Sequence, residues 1–342
     1  MAERRIRTPE LKGGPWFNSE PLAIAELKGK VVVVDFWTYS CVNCLRTLPY
    51  LKEWHRRYAK DGLVVIGVHS PEFEFEKDPG NVGDFLRRNA LEYPVVMDNA
   101  YTIWQAYANR YWPHHYFIDA DGYIRYDHIG EGGYEQSELI IQTLLSEANP
   151  SLSYLKVSEV AEESEAGAVC YPMSAELYTG FARGAIGNPV VLEEDRPQMY
   201  RDGGVHEEGF FYLDGAWLET PEYARHARAT AFPEDYLAIE YHGLEVNAVM
   251  GPATRGKTFR VYLAREGRPL PESACGADVS ADERGTYVAI DIPRMYRIIE
   301  EEAYGKHELK LITDSDQLQV YAFTFGGCTA PPAVRDEQRR IA

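Results

Sequence analysis

The chain has 342 residues, 45% of them hydrophobic and 26% charged, with a formal net charge of −18. That is enough material for two packed soluble domains, and the negative charge excludes the basic surface that nucleic acid or an anionic membrane needs. No apolar run is long enough to span a bilayer, the start MAERRIRTPELKGGPWF has no leader pattern, and five cysteines are too few for a stapled secreted scaffold, so the expected compartment is the cytoplasm, or outside it if the chain is a piece of a larger protein.

Residues 1–150 alternate strand and helix signals, which predicts an α/β domain. KVVVVDFW (Lys30 to Trp37) is a short, β-branched apolar run and predicts a buried central strand. From Val42 to about Tyr58, Leu45, Leu48, Leu51 and Trp54 follow helical spacing, with a kink expected at Pro49. LVVIGVHS (Leu63 to Ser70) predicts a second buried strand, parallel to the first if the helix between them is a crossover. SPEFEFEKDPGN predicts a loop, Val82 to Asn89 a short helix and YPVVMD a further strand. HHYFIDADGYIRYDHIG holds an Asp121–Gly122 turn between alternating runs, a hairpin signal, and a closing helix is expected from Tyr134 to Glu147.

The acidic, small-residue stretch at 151–168 reads as a linker. Beyond it, over 169–330, short alternating runs separated by Gly, Pro and Asp predict an all-β sandwich or jelly roll, followed by a tail at 331–342. Its aromatic residues Phe210, Phe211, Tyr212, Trp217, Tyr223, Tyr236 and Tyr241 fit strand packing better than a sugar-stacking platform. HEEGF (His206 to Phe210) lacks the second histidine of a zinc protease motif. Cys170, Cys275 and Cys328 have no ligand spacing and read as inert thiols, although Cys170 and Cys328 flank the domain and meet if its ends pair.

The chemistry concentrates in DFWTYSCVNCLRTLP (Asp35 to Pro49), where two cysteines three apart follow the central strand. A thiol attacks as its thiolate, and a sulfur at a strand-to-helix turn is stabilised as the anion by the free N–H groups and dipole of the helix start. Cys41 is therefore the expected nucleophile. Cys44, one turn on, is the expected resolving thiol that closes a disulfide and releases a bound partner. Asp35, set among Val31 to Val34 and Phe36, is expected to be buried with a raised pKa. It either takes the Cys44 proton or only fixes strand geometry. Pro113, just before a predicted strand, is expected to place backbone groups beside the dithiol if its bond to Trp112 is cis.

These residues carry a resemblance. VVVVDFWTYSCVNCLRTLPYL resembles the active-site segment of the thioredoxin superfamily: Asp six before the first cysteine, Trp four before it, Pro five after the second. WPHHYFIDADGYIRYDHIGEG resembles the cis-proline strand and hairpin of the TlpA-like branch. With GVHSPEFEFEKD and a β domain behind, the chain resembles the soluble C-terminal part of DipZ-type proteins, a TlpA-like domain joined to a carbohydrate-binding-module-like sandwich. The resemblance implies a thioredoxin fold and a thiol–disulfide oxidoreductase. Cys41 and Cys44 match its redox pair, Asp35 its buried acid, Trp37 the neighbouring aromatic and Pro113 its cis-proline, and Trp37, Trp112 and Pro113 are expected to contact substrate. It also implies protein or small-molecule disulfide substrates, a dithiol electron donor, no cofactor or metal, and a carbohydrate or protein ligand for the sandwich. Two departures stand out: Val42-Asn43 replaces Gly-Pro between the cysteines, and Trp112 precedes the proline where a small or β-branched residue is usual.

Two rival readings follow from the same residues. Thr38 to Cys41 carries a TxxC fragment of thiol peroxidases, but their preceding Pro falls at Val34, inside the strand. Alternatively, the two soft thiolates with His69, His114, His115 or His128 bind copper or zinc.

Overall fold

The computed structural model describes residues 6–154, 156–158, 169–189 and 196–329, which form two compact units, 6–158 and 169–329. In the first unit the strands are β1 (Ile6–Arg7), β2 (Trp16–Phe17), β3 (Val31–Trp37), β4 (Leu63–His69), β5 (Val95–Met97), β6 (His114–Ile118) and β7 (Tyr123–Ile129). They make one mixed sheet in the order β1-β7-β6-β3-β4-β5-β2. β3 sits at its centre, parallel to β4 and antiparallel to β6. All seven β3 residues are buried, which is why its sequence is a continuous apolar run rather than an alternation.

The helices are α1 (Val42–Tyr58), α2 (Pro79–Arg88), α3 (Thr102–Ala106) and α4 (Tyr134–Ala148). α1 runs through Pro49 as one helix and buries Leu45, Leu48, Leu51 and Trp54, the stripe its spacing predicts, and Tyr58 with them. α2 starts three residues earlier than expected. Asp78 caps it by accepting from the Gly80 N–H, and Pro79 takes the first helical position, where no N–H is needed. The two-residue strands β1 and β2 and the five-residue α3 carry no periodicity and were not expected.

Part of the expected linker packs on the first unit. Glu138, fully buried on α4, accepts from the Ser158 N–H (2.9 Å) and hydroxyl (2.6 Å), and Tyr154 donates to Asp61 (2.8 Å). Val157 is buried beside them. Residues 159–168 and the tail 331–342 lie outside the described residues.

The second unit is all β: eleven strands hydrogen-bond into one sheet, and its strand pairs are antiparallel. Two long strands, Asp235–Pro252 and Arg294–Thr313, pair along most of their length with register shifts after Gly243 and after Val246. On its other edge, Asp235–Pro252 pairs first with Phe211–Glu219 and then with Leu318–Gly326. Those two strands are joined through Ala224–His226, so the sheet closes on itself around one apolar core. Phe211, Trp217 and Tyr241 are fully buried in it and Tyr212 nearly so, whereas Phe210 is exposed. The strand Arg294–Thr313 runs unbroken through EEEAYGK, because pairing with its long neighbour outweighs the poor local pattern of that stretch. Cys170 and Cys328 are not inert thiols: they form a disulfide that joins the start and end of this unit, and Cys275 remains free.

Candidate redox site

β3 ends at Trp37, and Thr38 to Ser40 carry the chain to α1, whose N-cap is Cys41. Its backbone is extended (φ −79°, ψ 115°), and its Sγ accepts from the Cys44 N–H at 3.4 Å, the place an aspartate or serine oxygen takes in an ordinary cap. Cys41 is partly exposed, Cys44 is fully enclosed, and both are free thiols. Burial pushes the Cys44 thiol well up, reinforced by its hydrogen bond to the Cys41 side chain and by the charges of Cys41 and Asp35. One sulfur thus faces outward at a helix mouth while its neighbour keeps its proton behind it.

Asp35 lies fully buried on β3, and the β3–β6 register sets it opposite His115. His115 Nε2 is 3.2 Å from Asp35 Oδ1, close enough for an ion pair, yet the groups are not aligned as a hydrogen bond. Tyr93 completes the group. Its hydroxyl is enclosed without a hydrogen-bond partner and is pushed well up by burial, then by Asp35 and Cys44. Tyr93 was not recognised from sequence as belonging to the dithiol, and His115 was weighed there only as a candidate metal ligand. Its place opposite Asp35 is set by the β3–β6 register, which no local pattern announces.

Trp37 departs from expectation. It was expected at the substrate surface but is fully buried, edge-on to His69 (5.2 Å) and against Phe85 (5.6 Å). A Cβ at Gly67 would stand 2.7 Å from its indole nitrogen, so β4 has to carry glycine where the ring crosses it. The Trp112–Pro113 peptide is cis, and Phe36 pairing with His114 puts Pro113 beside the end of β3 from which the chain leaves for Cys41. Trp112 is partly exposed, donates its indole N–H to the Ser70 carbonyl (3.1 Å) and tilts against Trp104 at 4.4 Å.

Sequence reasoning also missed Glu76, a fully buried carboxylate in the stretch expected to be plain loop. It accepts from the Ser40 hydroxyl (2.5 Å), the Ser40 N–H (3.3 Å) and the Phe73 N–H (3.0 Å), and so ties that loop to the residue before Cys41. Burial pushes its pKa up to about 7 against the hydrogen bonds from Ser40 and Thr38 that favour the anion. The unfolded chain loses this proton near 4.5. Between about 4.5 and 7 the folded protein therefore holds a proton that the unfolded one lacks, and stability falls as pH rises, by on the order of 1 kcal/mol per unit. Urea unfolding across that window should show the Glu76→Gln variant with a flatter slope than the parent. An unchanged slope would mean that Glu76 titrates normally.

The histidines do not form one ligand set with the two cysteines. His69 pairs with Thr38 (3.3 Å) and is pushed down to about 3 by burial. His114 bonds Asn109 (2.5 Å) and Asp127 (2.9 Å), and His115 faces Asp35. Among the described residues no group of three or more His, Cys, Asp or Glu is arranged to hold a metal ion. Val34, where a peroxidase would have proline, is paired inside β3 with Ile66 and Tyr116.

Residues 9–127 match the AhpC/TSA family, and residues 174–326 match the thioredoxin-like C-terminal domain. Protein DipZ of Mycobacterium tuberculosis is 31% identical over 331 residues, covering 93% of this chain and 42% of DipZ. The chain thus spans about two fifths of the length of that relative. Thiol-disulfide oxidoreductase YkuV of Bacillus subtilis is 29% identical over 140 residues, 41% of this chain and 94% of YkuV. Thiol-disulfide oxidoreductase ResA of Bacillus cereus is 30% identical over 127 residues, 37% of this chain and 70% of ResA. With a partly exposed cysteine capping a helix and a buried one behind it, and with this likeness to ResA, the chain belongs to the thioredoxin-like thiol–disulfide oxidoreductases.

Proposed function

We propose that Cys41 and Cys44 carry out thiol–disulfide exchange on protein or small-molecule disulfides, with electrons supplied by another dithiol and no organic cofactor or metal. The observation that carries this reading is the asymmetry of the pair: Cys41 caps the helix and is reachable, while Cys44 is enclosed with its proton held. In the reducing direction the Cys41 thiolate attacks one substrate sulfur, forming a mixed disulfide and expelling the other sulfur as thiolate. Cys44 then gives up its proton to Asp35 and attacks Cys41 Sγ. The Cys41–Cys44 disulfide forms, and the second substrate sulfur leaves with the electron pair. Pro113 and Trp112, at the end of β3, are the groups proposed to meet an extended substrate.

The unit 169–329 is assigned a binding or scaffolding role toward a protein or carbohydrate ligand. Its Cys170–Cys328 bridge supports an oxidising compartment rather than the expected cytoplasm. No helix among the described residues is long and apolar enough to cross a membrane.

Purified chain with a dithiol donor is expected to reduce insulin disulfides catalytically, and absence of turnover would refute the reading. The Cys41/Cys44 reduction potential assigns direction: near about −270 mV the protein is a reductase, and near about −120 mV an oxidant.

A further inference from the structure

We propose that His115 acts with Asp35 as one proton-handling unit behind the dithiol and that His128 is its outlet toward solvent, an inference that rests on the exchange reaction above. The resolving step releases one proton from Cys44, and every group near it is enclosed: Cys44, Asp35 and Tyr93 have no exposed surface. A carboxylate that accepts the proton there must pass it on before the next turnover.

His115 is the group placed to take it. Its Nε2 stands 3.2 Å from Asp35 Oδ1, and neither of its ring nitrogens is committed to another protein group. The imidazole therefore accepts at Nε2 and releases from Nδ1, as a two-nitrogen ring allows. On β7, directly opposite His115 in the register, is His128. The two rings lie parallel within 7°, with centroids 6.3 Å apart, a separation that one water bridges. His128 as a residue is partly buried: its Nε2 is enclosed without a partner, the Glu131 and Gly132 backbone engages the ring, and the ring packs over Gly133 at the start of α4, where a Cβ would come within 2.8 Å of it. Buried polar atoms without partners are rare in folded proteins, and here the Asp35 oxygens, the His115 nitrogens and the Tyr93 hydroxyl gather behind one dithiol.

The charged and titratable surroundings of His115 are few. β3 offers Asp35, β7 offers His128, and α1 offers Cys44 together with the Trp54 ring, whose N–H is held by Glu138 of α4. Tyr93 responds to Asp35 and Cys44, and the neighbouring His114 is engaged by Asn109 and Asp127. In the step itself the Cys44 S–H bond breaks and its proton moves to Asp35, then to His115 Nε2. His115 Nδ1 releases a proton toward His128 and bulk water, while the Cys44 electron pair forms the bond to Cys41 Sγ and the Cys41–substrate S–S bond breaks, its electron pair leaving on the substrate sulfur. No other oxidant or reductant is required. His115 acts through Asp35 and is thus a positioning and relay residue rather than a group that touches the reacting sulfurs.

The test is single-turnover kinetics on the full chain, separating attack by Cys41 from resolution by Cys44 across pH. Asp35→Asn should slow resolution by about a hundredfold and His115→Asn by about tenfold or more, with Cys41 attack unchanged. The inflection in the pH profile of resolution should shift or vanish in His115→Asn. The double variant should be no slower than Asp35→Asn alone, as expected of two residues that act as a unit. If His115→Asn does not fold, His128→Gln, at a partly exposed position, should still slow resolution several-fold while leaving attack intact. Resolution that keeps its rate and pH profile without His115 or without His128, or a double variant with additive losses, would overturn the relay. Failure of Cys41 attack in the parent protein would instead overturn the exchange reaction, so the two failures are distinguishable.

Discussion

A Cys41→Ser variant is expected to lose insulin-reducing turnover by at least about a thousandfold, whereas Cys44→Ser keeps the first chemical step and accumulates substrate as a covalent adduct. The difference follows from where the two sulfurs sit. Cys41 is partly exposed at the helix start, where its Sγ accepts the Cys44 N–H, so it is the sulfur an incoming disulfide reaches first. A serine hydroxyl in the same place stays protonated at neutral pH and cannot exchange with a disulfide. Cys44 has no exposed surface and meets a partner only after Cys41 has brought one in. Without it, the mixed disulfide has no intramolecular attacker. Non-reducing electrophoresis of the Cys44→Ser protein after exposure to a disulfide substrate shows the adduct directly. Retained turnover in Cys41→Ser, or no adduct with Cys44→Ser, would contradict the order of attack.

The second large effect concerns the all-β unit. Its disulfide joins Cys170 to Cys328 across a sequence separation of 158 residues. A crosslink over so long a loop removes much of the unfolded chain's freedom, about 5 kcal/mol in the chain-entropy account and about 2–5 kcal/mol in typical measurements. The Cys170→Ala/Cys328→Ala variant should therefore unfold at clearly lower denaturant concentration, with thiol exchange at Cys41 unchanged. Equal unfolding midpoints for variant and parent would show that hydrogen bonds such as Tyr171 N–H to the Gly327 carbonyl already hold the ends together.

How much of this was legible in the residues themselves depends on distance along the chain. β3, α1, β4 and the β6–β7 hairpin were readable because four valines, a helical stripe and an Asp-Gly turn are local signals, complete within a window of about ten residues. The dithiol was readable for the same reason, since a helix turn brings positions three apart together by its own geometry. Trp37 was misread because a motif places a residue on a strand without saying which face is covered. Only the close passage of Gly67 on the neighbouring strand shows that the indole fills core.

By itself, then, the sequence determined an α/β redox unit ahead of an all-β unit, and it determined that two cysteines three apart meet at the start of one helix. The tertiary structure decided what surrounds them: His115 opposite Asp35 through the β3–β6 register, Glu76 folded back onto Ser40 across 36 residues, and Cys170 bonded to Cys328. The physical reason is that strand register and loop docking are chosen by the burial of the whole sheet. A side chain's distant partner is set by contacts that no local window contains.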